Sequence, residues 1–343
     1  MRVVCPVISG SGVLVFHQRL ASRLVSESVE TSILEFSPWS EYWPWLLPGR
    51  FERQLHGNPA PELIHTNADY GVFFRRSPVP LVVTIHHSSV DLEAVSQLNW
   101  FVSLHHRTLL RSFLRRTLEA ANRIVAVSEH SREILNRIFD GRWSVPVIYN
   151  GIDENRFCPT VTDHLANPHP VVTLFFSGNP SRRKGFDLLG SLLASLGRDY
   201  RLRYTSGLRD EQAVLLGDNV ECLGRLDEDQ LIREINGADI VVQPSRREGF
   251  GLSILEAMAC GKPVVSTNCS AIPELIDHGK GGFLCEPGSV SQLVEAVRKL
   301  AQSPQLRIQL GQYNRQKVLR QFTLTRMARE YSEVYRSVLD QVS

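Results

Sequence analysis

Short apolar runs separated by helical patterns limit most strongly what this chain can fold into. The runs are rich in β-branched and aromatic side chains, and the segments between them carry apolar residues at helical spacing. In the first half the runs are residues 3–8, 32–36, 63–65, 81–85, 124–127 and 145–149. In the second half they are residues 171–176, 201–205, 220–223, 240–243, 264–266 and 283–285. Strands that alternate with helices predict an α/β fold with parallel sheets.

The chain length favours two domains. A chain of 343 residues is long for a single hydrophobic core. The segment 150–170 is rich in proline and turn-forming residues, which makes it the best candidate for the link between the domains. Each half then has about 150 residues, an ordinary size for a doubly wound sheet. Ligands of such sheets bind outside the carboxyl ends of the strands, so two facing sheets would enclose a cleft.

Composition excludes several classes of protein. The chain has 38 basic and 36 acidic residues and a net charge of +2, so bulk charge gives no reason to expect a nucleic-acid partner. The six cysteines lack metal-finger and C-x-x-C spacing, and they predict reduced core thiols in a cytoplasmic protein. The N-terminal segment reads as a first strand and not as a signal peptide. No apolar run reaches the roughly 18 residues of a transmembrane helix.

The stretch SRREGFGLSILEAMACGKPVVST, residues 245–267, places Glu248 and Glu256 around a Gly-Phe-Gly turn. Residues 238–245 predict a strand and residues 252–260 a helix, so the turn lies where a ligand would bind. The glycines allow backbone N–H groups to approach that ligand, and the helix N-terminus favours an anion. Glu256 would present acceptor oxygens to hydroxyls such as those of a ribose. The alternative is that both glutamates simply decorate a loop and a helix surface.

A second stretch, residues 174–196, again has a strand, a glycine-containing loop and a helix. Its loop carries Arg182, Arg183 and Lys184 just before Gly185. Cations at a helix N-terminus oppose the helix dipole, so they favour a bound polyanion whose phosphate oxygens they can grip. A solvated basic turn is the alternative.

These pieces, together with VECLGRL, IPELIDHGKGGFLCEPGS and the upstream VIYNGIDENRF, resemble the family 4 retaining glycosyltransferases, also called glycosyl transferases group 1. They occur in the order and spacing of that family. The resemblance implies the GT-B fold, an α/β fold of two Rossmann-like doubly wound domains that face each other across a cleft. It also implies a nucleotide-sugar donor, UDP- or GDP-linked, held mainly by the C-terminal domain, with no cofactor and no metal.

The resemblance assigns roles to individual residues. Glu248 would contact the transferred sugar, and Glu256 would hold the ribose. Arg183 and Lys184 would neutralise the departing diphosphate. Backbone groups of the turn and helix start would touch sugar and diphosphate; these residues are Gly249, Phe250, Gly251, Leu252 and Ser253.

One position departs from the family pattern. Many members have Gly-Arg directly after the strand, and the arginine there clamps the diphosphate, whereas this chain has Gly178-Asn179. Some relatives with a shortened loop keep an arginine just before Lys-Gly, as Arg183 is here. The phosphate clamp is therefore Arg183 or its neighbour Arg182.

The first domain is implied to be the acceptor side. Gly12, in the turn after the first strand, would approach the donor phosphates, and His86, at the end of the strand 81–85, would contact the transferred sugar or leaving group. His17, His65 and His130 read as structural residues or as residues that support a neighbouring site residue, and their spacing suggests no metal site. The domains are predicted as residues 1–160 and 161–322, with an amphipathic helix at 323–343 that crosses back onto the first domain.

Two segments of the first domain are candidates for contact with the acceptor. Residues 105–123 form a predicted helix with five arginines and one glutamate, with Leu110, Phe113, Leu114 and Ala121 on one side. That helix would either pack on its sheet with a solvated basic face or touch an anionic membrane surface or acceptor. The aromatic segment 37–49 would line an acceptor site, touch lipid or fill the core. The sequence Asp227-Glu228-Asp229 resembles a metal signature of another fold but reads as a helix start.

The resemblance therefore implies a cytoplasmic, metal-independent hexosyltransferase, peripheral on the inner face of the plasma membrane if the basic helix binds lipid. It would move a sugar with retention to a glycan, lipid-linked or small-molecule acceptor in bacterial cell-surface glycan or glycoconjugate biosynthesis. A nucleotide-sugar epimerase of the same build and a non-catalytic binding homologue are the alternatives. A dinucleotide-dependent dehydrogenase would need a complete G-x-G-x-x-G, which residues 10–15 do not provide.

Overall fold

The computed structural model describes residues 1–8, 12–36, 60–86, 111–160, 171–206 and 217–342. The chain divides into two compact units. The first comprises Met1–Gly151 and Leu324–Ser343, and the second comprises Ile152–Thr323.

The first unit contains a five-stranded parallel sheet in the order β2-β1-β3-β4-β5. Its strands are β1 (Arg2–Ile8), β2 (Glu30–Phe36), β3 (Leu63–Asn67), β4 (Leu81–Ile85) and β5 (Arg123–Ala126). Its described helices are α1 (Gly12–Leu24), α2 (Arg111–Ala120), α3 (Glu129–Ile138) and, from the end of the chain, α10 (Leu324–Val342). One face of the sheet packs on α1 and α10 and the other on α2 and α3, which is why the strands are apolar on both sides.

The second unit contains a six-stranded parallel sheet in the order β11-β10-β9-β6-β7-β8. Its strands are β6 (Val172–Phe176), β7 (Tyr200–Tyr204), β8 (Val220–Cys222), β9 (Ile240–Gln243), β10 (Val264–Thr267) and β11 (Gly282–Cys285). Its described helices are α4 (Leu189–Leu196), α5 (Glu228–Gly237), α6 (Leu252–Ala259), α7 (Ile272–Leu275), α8 (Val290–Ala301) and α9 (Pro304–Gln321). Leucines of α4 and α8 form the main core against one face of the sheet.

The predicted strand at 145–149 is wrong. Val147 makes a single parallel bridge to Ala126, and the carbonyl of Pro146 and the amide of Ile148 hydrogen-bond that same residue. Pro146 has no N–H group, so the ladder cannot continue through it.

The boundary between the units lies at 151/152, whereas the prediction places it at 160/161. The side chain of Phe157 is fully buried, and the guanidinium of Arg315 donates to the carbonyls of Phe157 and Glu154 at 2.7 and 2.8 Å. The amide of Ile152 donates to the carbonyl of Phe322 at 3.0 Å. These contacts attach residues 152–160 to the second unit, although their composition is that of a linker.

Three further expectations concern the cysteines, two segments of the first unit and membrane-spanning helices. The six cysteines, all within the described residues, form no disulfide, but Cys222 is exposed at a sheet edge and is not a core residue. In α2 the fully covered residues are Leu114, Thr117 and Leu118, while residues 105–110 and the aromatic segment 37–49 lie outside the described residues. No described helix is long and apolar enough to cross a membrane.

Candidate functional site

The strand order of the second sheet identifies one place at the carboxyl ends of its strands. Strands β6 and β9 are neighbours, but the chain leaves them in opposite directions, towards β7 and towards β10. The loops after these two strands, residues 177–185 and 244–251, therefore flank a topological switch point. Ligands of doubly wound sheets bind in the crevice at such a point.

The basic turn in the first of these loops is fixed by a glycine. Arg182–Lys184 form a 3-10 turn that ends at Gly185, whose φ of 72° lies in the left-handed region. A Cβ atom on Gly185 would lie 1.9 Å from the carbonyl oxygen of Pro244 in the second loop. Glycine is thus required both by the backbone conformation and by the close approach of the two loops.

Arg246, in the second loop, stabilises the basic turn through hydrogen bonds. Its amide donates to the carbonyl of Arg183 at 2.8 Å, and its guanidinium donates to the carbonyl of Arg182 at 2.7 Å. The same guanidinium makes a bidentate pair with Asp187, at 2.6 and 2.9 Å. The hydrogen bond from Arg246 holds the pKa of the Asp187 carboxyl below its ordinary value. The cationic turn is therefore held in place from both ends.

Glu248 is the charged centre of the site. Its side chain is only 6% exposed, and Oε1 accepts hydrogen bonds from Lys184 Nζ at 2.5 Å and Ser245 Oγ at 2.8 Å. Arg183 Nη1 lies 3.5 Å from Oε2. Burial raises the pKa of this carboxyl, but the charges of Lys184 and Arg183 and the two hydrogen bonds outweigh burial, so the pKa lies below its ordinary value.

The lowered pKa restricts the chemistry available to Glu248. An ionised carboxylate accepts hydrogen bonds and donates none, so at neutral pH Glu248 cannot act as a general acid. It can orient hydroxyl groups and stabilise positive charge that develops near them. Lys184 has three N–H donors, of which the described contacts use one, so the ammonium group can hold a second anion while it remains beside Glu248.

The second predicted glutamate lies on α6. This helix begins after Gly251, whose φ of 105° is left-handed, and it has no side-chain N-cap. Glu256 is 7% exposed. The hydroxyl of Ser253 is buried and has no hydrogen-bond partner among the described residues. Uncapped N–H groups and an unpaired hydroxyl at a helix start are suited to an anionic or hydroxyl-bearing ligand.

The remaining predicted residues of the turn differ in burial. Phe250 packs its ring on Phe322, with centroids 5.9 Å apart, so its side chain belongs to the core of the unit. Gly249 and Leu252 are partly exposed. Among the predicted residues of the second unit, the structure thus brings Lys184 and Arg183 into contact with Glu248, while residues 249–253 and Glu256 follow in the turn and in α6.

Ser245 is a residue that the sequence analysis missed. It is fully buried, its hydroxyl donates to Glu248, and its carbonyl accepts from Thr267 Oγ1 and from Cys269 Sγ at 3.3 Å. Its position directly after β9, at the carboxyl end of a strand, is the signal that could have identified it.

Two predicted residues lie in the first unit. Gly12 is the exposed first residue of α1, and His86 directly follows β4. The ring of His86 meets the ring of Phe16 edge-on, with centroids 4.5 Å apart.

A buried cluster in the first unit was not predicted. Ligand-capable atoms of Cys5, His17 and His65 lie within 4.8 Å of one another. However, Nε2 of His65 is 2.7 Å from Thr84 Oγ1, and its Nδ1 is 2.7 Å from the hydroxyl of Tyr335. Because both nitrogens of His65 already hydrogen-bond, only two ligands remain, fewer than zinc sites use. We interpret the cluster as part of the core between the sheet, α1 and α10.

The acidic sequence at 227–229 is structural, as predicted. Asp227 caps α5 through a reciprocal pair of hydrogen bonds with Gln230, at 2.7 and 2.9 Å. Glu228 and Asp229 both pair with Arg156. The carboxylates are thus engaged by the protein itself.

Two curated relatives illustrate the sequence similarity. The chain is 34% identical over 122 residues to N-acetyl-alpha-D-glucosaminyl L-malate synthase from Bacillus anthracis, which is 36% of this chain and 32% of that enzyme. It is 25% identical over 266 residues to an uncharacterized glycosyltransferase from Methanocaldococcus jannaschii, which is 76% of this chain and 70% of that protein. The match to the first relative thus spans about a third of its length.

Solved structures confirm the predicted fold. Sucrose-phosphate synthase from Thermosynechococcus elongatus matches with a TM-score of 0.87 and 18% identity, over 99% of this chain and 100% of that one. HepE from Anabaena, solved with UDP-glucose, matches with a TM-score of 0.77 and 20% identity, over 98% and 100% of the two chains. The fold is GT-B, with two Rossmann-like parallel sheets.

Family models match nearly the whole chain. Residues 12–156 match the model described as Glycosyltransferase Family 4, and residues 163–317 match the model described as Glycosyl transferases group 1. The two matches follow the division into units and cover both loops at the switch point of the second sheet. The chain therefore belongs to the family 4, group 1 glycosyltransferases.

Proposed function

We propose that this chain transfers a sugar from a nucleoside-diphosphate sugar to an acceptor hydroxyl, and that the second unit binds the donor. The observation that carries the proposal is the buried, ionised Glu248 held between Lys184 and Arg183 at the switch point. This arrangement offers a carboxylate to sugar hydroxyls and two cations to a diphosphate. The UDP-glucose complex of HepE, a protein of the same fold, supports this choice of donor class.

Each residue of the site then has a role. Glu248 orients the transferred sugar, Glu256 holds the ribose, and backbone N–H groups at residues 249–253 meet sugar and diphosphate. Lys184 and Arg183 bind the diphosphate. The position of Arg183 beside Glu248 supports Arg183 as the phosphate clamp. The charge of Arg182 instead lowers the pKa of Asp187, which lies outside this cluster.

The proposed reaction proceeds on one face of the sugar. The bond between the anomeric carbon and the donor diphosphate oxygen breaks, and the acceptor oxygen forms a bond to the same carbon from the same side, so configuration is retained. The acceptor proton passes to the departing diphosphate. Lys184 and Arg183 stabilise the negative charge that develops on the leaving group, a task that a divalent metal performs in other enzymes. Glu248 stabilises the developing positive charge on the sugar.

The first unit would supply the acceptor side. Gly12 would approach the donor phosphates and His86 the transferred sugar. The acceptor would be a glycan, a lipid-linked molecule or a small metabolite, in cell-surface glycan biosynthesis at the cytoplasmic face of the membrane. Helix α2 gives partial support to membrane contact: Arg116 is exposed, but Arg111 donates to the carbonyl of Ile138 and Arg115 pairs with Glu119.

Donor turnover tests the proposal. Wild-type protein and the Glu248→Gln variant would be incubated with UDP-, GDP-, ADP- and dTDP-sugars, with and without EDTA, and release of the nucleoside diphosphate would be measured. We expect slow hydrolysis of one donor, insensitive to EDTA and lost in the variant, with an α-configured sugar from an α-linked donor in proton NMR. Binding without turnover would favour the non-catalytic homologue. Inversion at a sugar carbon of the intact donor would identify an epimerase.

A further inference from the structure

Gln243 is a buried polar residue at the site to which no role has yet been given. It is the last residue of β9, beside β6, and it directly precedes Pro244 and Ser245. Its backbone carbonyl accepts from Ser266 Oγ at 2.6 Å and from the amide of Ser245 at 2.9 Å. The backbone carbonyl of Gln243 is therefore satisfied, and the side chain requires an explanation.

The side-chain amide of Gln243 is unusual for an interior group. The residue is 0% exposed, and neither Nε2 nor Oε1 has a hydrogen-bond partner among the residues that the structure describes. Buried polar atoms are nearly always paired, because an unpaired one has lost its hydrogen bonds to water without compensation. A role in binding is one reason for a protein to retain such a group.

The surroundings of the amide indicate what it would bind. A Cβ atom built on Gly178, in the loop after β6, would lie 4.0 Å from Gln243 Nε2 and 3.7 Å from Lys184 Cε. The side-chain amide of Gln243 and the aliphatic part of Lys184 therefore both lie next to Gly178. The backbone N–H of Gly178 donates to Thr205 Oγ1 at 3.0 Å, so it does not compete with the Gln243 side chain for a ligand here.

We infer that Gln243 is a donor-binding residue whose Nε2–H donates to an oxygen of the donor diphosphate, beside Lys184. The inference rests on the proposed function, because it assigns a further contact to the same donor site. An amide suits this place, since it can donate to a phosphate oxygen while adding no charge to a site that already holds two cations.

The variant Gln243→Met tests the inference, because methionine keeps the length and volume of glutamine and removes both polar atoms. Isothermal titration would measure binding of UDP, GDP, ADP and dTDP, and of the corresponding monophosphates, to the full chain. We expect the Kd of the diphosphate that wild type binds to weaken about tenfold, which corresponds to 1.4 kcal/mol. We expect the Kd of its monophosphate to change much less.

Thermal unfolding of the same variant, without nucleotide, separates binding from a structural role. Removal of an unpaired buried amide is expected to raise the midpoint by roughly 2–4 °C. The matched control is Asn314→Leu: that amide is also fully buried but donates to the carbonyls of Lys262 and Gly281, at 2.8 and 2.6 Å. We expect this control to lower the midpoint and to bind mono- and diphosphate with an unchanged ratio.

The outcomes separate this inference from the function on which it rests. If wild type binds a diphosphate and Gln243→Met binds it equally well, the inference is wrong while the proposed donor site stands. A lower midpoint with equal weakening of mono- and diphosphate would also overturn the inference, since it would show a structural role. If wild type binds none of the four diphosphates, both proposals fail.

Discussion

At the scale of single residues, the buried ion pair of Lys184 and Glu248 is expected to affect the free energy of unfolding. Removal of one member of a buried ion pair leaves an uncompensated charge in the interior. We expect Lys184→Met to lower the free energy of unfolding by about 3 kcal/mol. The double variant with Glu248→Gln should recover most of that loss, because it removes the stranded carboxylate.

A double-mutant cycle in urea, followed by circular dichroism, measures this coupling. The cycle compares wild type, Lys184→Met, Glu248→Gln and the double variant. Additive effects of the two substitutions would show that the pair is not coupled and would contradict the account of the buried carboxylate.

The role of Gly12 can also be tested at a single position. Gly12 is the first residue of α1, and a Cβ atom there would meet none of the described atoms within 4 Å. Alanine favours helix by up to about 1 kcal/mol over glycine, so Gly12→Ala should leave stability equal or higher. If Gly12 approaches the donor phosphates, donor turnover should fall in the same variant. Unchanged turnover would remove Gly12 from the site.

At the scale of elements, the contact between the two loops of the switch point depends on Gly185. We expect Gly185→Ala to lower the free energy of unfolding by more than about 2 kcal/mol and to weaken binding of the nucleoside diphosphate, because its Cβ would collide with the carbonyl of Pro244. The matched control is Gly224→Ala, where φ is a similar 68° but the space is open. Hydrogen exchange of residues 177–188 would report the loop directly. Equal effects of the two variants would contradict a special role for the contact.

Most elements could be predicted from the sequence because their apolar patterns are strong. All the strands except the run at 145–149 lie where the patterns predict, and α6 and α10 begin and end within a few residues of the predicted bounds. The bounds of the units could not be predicted, because residues 152–160 have the composition of a linker and are held by tertiary contacts with Phe322 and Arg315.

The candidate site was predictable to a different degree. Its charged residues and glycines follow a motif, so Glu248, Lys184 and Arg183 could be named in advance. The only signal for Ser245 was its position directly after a predicted strand, and Gln243, a glutamine at the end of that strand, has no distinctive pattern. Their importance depends on burial and on which atoms lack partners, and both are properties of the fold.

At the scale of the whole molecule, pH should affect the two units differently. Burial lowers the pKa of His17 well below its ordinary value and the pKa of His65 to about 3, and neighbouring histidines add to the effect. Below pH 6.5 the two histidines therefore bind protons in the unfolded chain but remain neutral in the folded first unit. Their contribution to the free energy of unfolding is complete above pH 6.5 and is lost as pH falls towards 3. Glu248, whose pKa lies below its ordinary value of 4.5, stabilises the fold fully above that pH and loses this contribution only as pH falls below it.

We expect the first unit to lose roughly 2–3 kcal/mol of stability between pH 7.5 and 5.5. All five tryptophans lie before residue 151, so tryptophan fluorescence in urea reports the unfolding of this unit alone. The variant His17→Leu should remove about half of the pH dependence. A pH-independent midpoint in wild type would contradict the neutral, buried state of the two histidines.

We propose that the second unit binds a nucleoside-diphosphate sugar at the switch point between β6 and β9. The most direct measurement is a thermal-shift panel of UDP, GDP, ADP, dTDP and their sugars on wild type and Glu256→Ala. A ligand at 100 times its Kd stabilises by about 2.7 kcal/mol, which is easily seen. We expect one nucleotide to stabilise wild type selectively and Glu256→Ala to abolish the shift. No response of wild type to any of them would show that the proposed donor site is wrong.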